Sequence, residues 1–209
     1  SIAKNGYQEG LEYAFFPLYP LAIRAVSTVT GDFQLSAILI NLTASFFAML
    51  TLYRLVSLEL NRALAEKTII YLLFFPTSFF LLVTYSESLF LFLAVTSSYF
   101  FKKENFLWAA VLAALASATR PIGVAIAMAF FIQVFIQGGF SRKNWVLIFA
   151  PLGLVFYSFY LYLHTQDPLF FMSAQQNWQR SLSFPWFSFW QTLNNIFQPG
   201  FITQYFYVF

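Results

Sequence analysis

The chain has 209 residues, of which 60% are hydrophobic, 22% aromatic and 9% charged, with a mean hydropathy of +0.69. Soluble domains carry roughly 25% charged residues, so a surface this poor in charge excludes an ordinary water-soluble fold and points to a multi-pass membrane protein. The absence of cysteine and the single histidine, His164, exclude disulfides, thiolate metal sites and a histidine metal cluster, and the net charge of +3 is spread over short loops, unlike a nucleic-acid footprint.

In hydrocarbon every backbone polar group needs an internal partner, which leaves helices or closed barrels. The apolar runs here are continuous, without strand-like alternation, so the expected class is all-α, a transmembrane bundle of about six helices over residues 34–163. Residues 1–33 are mixed, with Lys4, Glu9, Glu12, Arg24 and Asp32 around "FFPLYP", and read as an outer-face loop. A first span covers about Gln34–Ser57, long enough for a hydrocarbon core of roughly 30 Å, and the polar link "ELNRALAEK" follows. The run 68–101 is too long for one span and contains a single charge, Glu87. We expect Ser86–Ser88 to divide it into two short helices, Ser86 acting as N-cap and Glu87 standing in the first turn, where the helix dipole favours an anion.

"KKEN" turns the chain at 102–105, and a short span over about 106–118 leads to "ATRPIG". Pro121 suits the first position of a helix, so Thr119–Arg120 marks a break before a span over about Pro121–Gln137. After "GGFSRKN" a span runs over about Trp145–Leu163. Residues 164–200 read as an outer segment with an interfacial helix started by Asp167–Pro168, and 201–209 as the start of a further, cut span. No signal peptide is recognisable and both ends read as cut, so a fragment of a longer protein is expected. Arg62/Lys67, Lys102/Lys103 and Arg142/Lys143 fall on one side of the bundle, which the positive-inside rule makes cytoplasmic. Glu87, Arg120 and the segment after His164 then lie on the outer face.

Ionisable groups at membrane depth are costly and usually face a partner or a cavity. Glu87 also reads as helix punctuation and Arg120 as a snorkelling side chain, while Trp178 and Arg180 also read as interfacial anchors. Asn41-Leu42-Thr43 matches a glycosylation sequon but lies inside the first span, out of reach of glycosyl transfer. Tyr7, Tyr19 and Tyr85 neighbour the outer polar turns, unlike most of the aromatic residues. His164 reads as an interfacial side chain.

Five stretches, "IAKNGY" (2–7), "FFPLYP" (15–20), "YSESLF" (85–90), "ATRPIG" (118–123) and "DPLFFMSAQQNWQR" (167–180), together resemble the PIG-V family of mannosyltransferases, within the GT-C fold of membrane glycosyltransferases. The compact bacterial members are the nearer likeness, which favours a bacterial cell membrane, or the endoplasmic reticulum if the protein is eukaryotic. The resemblance implies transfer of a sugar, typically mannose, from a polyprenyl-phosphate donor to a glycan, glycolipid or protein acceptor on the outer face. It implies a catalytic acidic residue upstream of Ser1, beside a first helix that also precedes it. Within this chain it suggests Arg120 for the phosphate, Glu87 and Tyr85 for orienting a sugar hydroxyl or Arg120 itself, and Tyr19 as a further substrate-binding residue. Asp167, Gln176, Trp178 and Arg180 would border the acceptor entrance. No metal ligand set is visible, and metal dependence stays open. A transporter or lipid flippase, or a non-catalytic assembly subunit, are the rival readings.

Overall fold

Side-chain caps written in the sequence set the starts of three helices among the described residues. The computed structural model describes residues 2–8, 10–176, 186, 190 and 193–194. Among these residues the regular structure is helical, without strands. One compact unit ends at Ala174. A short helix α1 (Ile2–Asn5) and a 3-10 turn (Gly10–Ala14) precede α2 (Leu18–Thr30), which ends at Gly31 with φ 72°, a left-handed position that glycine fills without strain. Asp32 caps α3 (Phe33–Glu59), its carboxylate accepting from the Leu35 N–H at 2.6 Å. Asn61 caps α4 (Arg62–Phe74) and Asn105 caps α6 (Phe106–Ser117) in the same manner.

Between them runs α5 (Glu87–Lys102). A 3-10 turn (Pro121–Gly123) leads into α7 (Val124–Ile136), a second (Trp145–Phe149) into α8 (Leu152–Thr165), and α9 (Phe170–Gln176) follows.

Several boundaries differ from the sequence-based expectation. The long run 68–101 breaks at Pro76, well before Ser86: α4 stops at Phe74 and a 3-10 turn (Pro76–Leu81) follows, because proline lacks the N–H that would continue the helix. Ser86 occupies the N-cap position of α5 without capping it. Its backbone is helical (φ −78°, ψ −2°), where an effective cap is extended, so the hydroxyl is not aimed at the first-turn N–H groups. Residues 1–33 are largely helical where a loop was expected. The 145–163 span is interrupted at Pro151, which precedes α8.

Small residues let the helices touch. Ala109, Ala110, Ala113 and Ala116 are buried on α6, and the packed cluster around them includes Phe101 and Phe130, stacked at 4.4 Å. Gly153 of α8 lies so close to α6 that a Cβ there would stand 2.0 Å from the Ala114 carbonyl oxygen. Buried serines tie the contacts: Ser97 donates to the Ala109 carbonyl at 2.8 Å, and Ser117 accepts from the Leu154 N–H at 3.2 Å. Small residues and interhelical hydrogen bonds are the cohesive elements where lipid removes the hydrophobic drive between helices.

Two segments, Phe33–Glu59 and Trp145–Thr165, are long and apolar enough to cross a membrane, and only 33% and 22% of their apolar windows are buried. A core helix of a soluble protein would be mostly covered. Here the apolar faces point outward, as with Phe46 (64% exposed) on α3 and Phe156 (67% exposed) on α8.

Candidate functional site

At one end of the bundle Lys102 Nζ meets Glu59 Oε1 at 3.0 Å, joining the last turns of α3 and α5. These two helices therefore run in the same direction. Glu87 opens α5, so it lies at the opposite end, about 22 Å away at 1.5 Å per residue. There it faces Arg120, which the α6–α7 turn presents from extended backbone (φ −153°, ψ 144°) forced by the following proline. Arg120 Nη1 donates to Glu87 Oε1 at 2.5 Å, and both side chains are partly exposed. Glu87 Oε2 is buried and has no hydrogen-bond partner among the described residues.

The surroundings of this pair are held by Asn41 of α3. Its amide nitrogen donates to the carbonyls of Val83 and, at 3.1 Å, Tyr85, and its oxygen accepts from the Tyr19 hydroxyl at 3.0 Å. One fully buried amide thus joins α2, α3 and the turn that leads into Glu87. Ser45 and Ser88 add hydrogen bonds to the Leu81 carbonyl, both at 2.7 Å. Tyr19 is buried and its hydroxyl is pushed up to about 12, chiefly by desolvation; the hydrogen bond to Asn41 opposes the shift and the negative charge of Glu87 adds to it. Through Asn41, Tyr19 is joined to the Tyr85 carbonyl, two residues before Glu87.

Tyr19, Tyr85, Glu87 and Arg120 are thus gathered at one end of the fold. Asp167 is engaged elsewhere: its Oδ1 accepts from the Leu169 N–H at 2.9 Å, shaping the turn between α8 and α9. That turn leads to Phe171, which packs on Phe16 and Tyr157. Gln176 ends α9, and its side chain lies outside the described residues, as do Trp178 and Arg180. No cluster of His, Cys, Asp and Glu with metal-holding geometry occurs among the described residues.

Two features escaped the sequence reading. Asn41 attracted attention only as a sequon, although a carboxamide inside an apolar helix is costly enough to signal a partner. The second is a groove of about 900 Å³, floored by α6 and walled by the 145–160 segment on one side and by α1 and α2 on the other. Its lining on α6 follows one helical face, Leu107, Ala110, Val111, Ala114, Leu115 and Ala118. Neither Glu87 nor Arg120 lines it. Beside it, Tyr7 stacks on Tyr13 at 5.2 Å and approaches Tyr160 at 5.9 Å, while Tyr157 donates to the Tyr13 carbonyl at 2.7 Å. Burial raises the Tyr7 hydroxyl well above the ordinary phenol range, so it acts as a neutral donor, here to the Phe15 carbonyl at 2.7 Å.

Comparison with known families matches residues 1–148 to the one described as mannosyltransferase (PIG-V). No curated protein and no solved structure matches the chain.

Proposed function

The chain belongs to the mannosyltransferase (PIG-V) family, a family of glycosyltransferases, and from that premise we propose that it is part of a multi-pass membrane enzyme of GT-C type. In this reading the enzyme moves mannose from a polyprenyl-phosphate carrier to a glycan, glycolipid or protein acceptor on the outer face. The Glu87–Arg120 pair carries the proposal, because it lies at the end of the bundle opposite the basic loops. The six helical crossings that alternate those loops are part of the same proposal.

The helix lengths support a recess at this end. α6 has 12 residues, about 18 Å of rise against a hydrocarbon core of roughly 30 Å. If its Asn105 end sits at the inner boundary, Arg120 lies about 10 Å short of the outer one. A charged pair at such depth needs a polar cavity in front of it.

Transfer breaks the bond between the sugar C1 and the phosphate oxygen and forms one to the acceptor oxygen. The acceptor proton goes to a carboxylate, which the family resemblance puts upstream of Ser1. The lipid phosphate leaves as a monoester with one more negative charge. Arginine has five N–H donors, and one of those on Arg120 is engaged by Glu87. The others face hydroxyls of the bound sugar, while Glu87 Oε2, without a partner, accepts from a hydroxyl. Tyr85 is exposed beside them. Since Glu87 already neutralises Arg120, we give the pair to the sugar and leave the phosphate to another cation.

The test uses the full-length protein in membranes with radiolabelled polyprenyl-phosphate mannose and candidate acceptors. Label is expected to pass to a lipid, glycan or protein. Absence of transfer to any of them would contradict the proposal.

A further inference from the structure

We infer that the groove along α6 holds the isoprenoid chain of a polyprenyl phosphate and that Arg24, not Arg120, receives its phosphate. The inference rests on the proposed lipid donor for the identity of the ligand, and on the groove itself for everything else. The lining is almost wholly apolar, and Arg24 is the one charged residue among the described lining residues.

Its place is set by the fold. Tyr19 of α2 faces Asn41 of α3, and the two helices join through Gly31–Asp32, so they run antiparallel. Arg24 is therefore about 7.5 Å farther than Tyr19 from the Glu59–Lys102 end, at 1.5 Å per residue. The groove thus runs from Leu107 and Trp145 on the inner side to Arg24 on the outer side. It follows a segment, Trp145–Thr165, long and apolar enough to cross the bilayer. An apolar slot along the membrane axis with one cation at its outer end matches an amphiphile with a single anionic head.

The sequence of α2 builds this on one face. Pro17, Pro20, Leu21 and Arg24 follow the i, i+3, i+4, i+7 spacing and line the groove, while Tyr19 turns to Asn41. The two outer-end arginines differ in their partners. Arg120 is matched by Glu87, whereas Arg24 is exposed, its recorded contact is the Lys4 carbonyl at 3.4 Å, and no carboxylate pairs with it among the described residues. A phosphate arriving at Arg24 displaces no counter-ion of the chain. Ala114 and Ala118, small and partly exposed, line the α6 side where a chain would lie.

The experiment measures binding of polyprenyl phosphate and of polyprenol to the full-length protein in nanodiscs by native mass spectrometry. The wild type is expected to prefer the phosphate, and R24Q to lose that preference by about tenfold, the size of a charge-assisted contact. R120Q is expected to keep it. V111W, which fills the slot from an exposed position, is expected to weaken both lipids, and a photoreactive polyprenyl phosphate should label peptides from 107–115 and 145–156. Retained preference in R24Q, its loss in R120Q, undiminished binding in V111W or label confined elsewhere would each overturn the inference. Binding that depends on Arg24 without any sugar transfer would sink the proposed activity and leave the groove assignment standing; transfer with binding indifferent to Arg24 would do the reverse.

Discussion

A lone carboxylate in an apolar run was legible in the sequence as something needing a partner, and Arg120 was legible as a cation at a helix break. Their meeting was suggested only by the family resemblance, because they stand 33 positions apart and no local periodicity couples them. Asn41 was misread for the opposite reason: a local motif drew the eye from its cost inside an apolar helix. At this scale Tyr19 gives a pH prediction. Its folded value, about 12, lies above the ordinary 10.0, so the folded state holds the proton more tightly. The corresponding stability is fully present below pH 10 and declines as pH rises from about 10 to about 12. Alkaline unfolding of the protein in detergent should show that decline, shared with the raised Tyr7 hydroxyl, and Tyr19→Phe should reduce it. A profile unchanged by the substitution would contradict the assigned burial.

Helix existence was readable from apolar runs, and Pro121 marked the turn before α7. The caps Asn61 and Asn105 sit unremarked in the polar links that were read only as turns. The interruption at Pro76–Leu81 and the helical character of 18–30 were harder to read. Pro76 starts the first, with Ser45 of α3 holding the Leu81 carbonyl at its end, and the second is fixed by Tyr19 docking to Asn41. The groove was invisible in the sequence, since it arises where small residues on α6 and α8 meet. Gly153 is its most sensitive point: a Cβ would also stand 2.5 Å from the Ala118 nitrogen and from Ser117 Oγ. Gly153→Ala should separate α8 from α6 and cost about 1–3 kcal/mol or somewhat more, as overpacking does. Thermal unfolding in detergent measures it, and an unshifted midpoint would show that the helices are not so closely apposed.

For the whole molecule, composition alone indicated lipid as the solvent, and the outward-facing apolar side chains on α3 and α8 agree with it. The direction of the bundle came from loop charges, Arg62, Lys67, Lys102, Lys103, Arg142 and Lys143. The chain contains no cysteine, so single introduced thiols report topology cleanly. Lys103→Cys should react with an impermeant maleimide only after the membrane is opened, and Tyr85→Cys, at a 51% exposed position, in intact cells. Equal labelling of both from one side would contradict the topology proposed here. The central claim is that the Glu87–Arg120 pair handles the sugar. Its most direct test is the initial rate of mannosyl transfer by full-length E87Q and R120Q, measured beside their binding of polyprenyl phosphate. The account predicts a fall of about a hundredfold in transfer, the scale of a lost transition-state contact, with lipid binding retained; wild-type rates in either variant would contradict it.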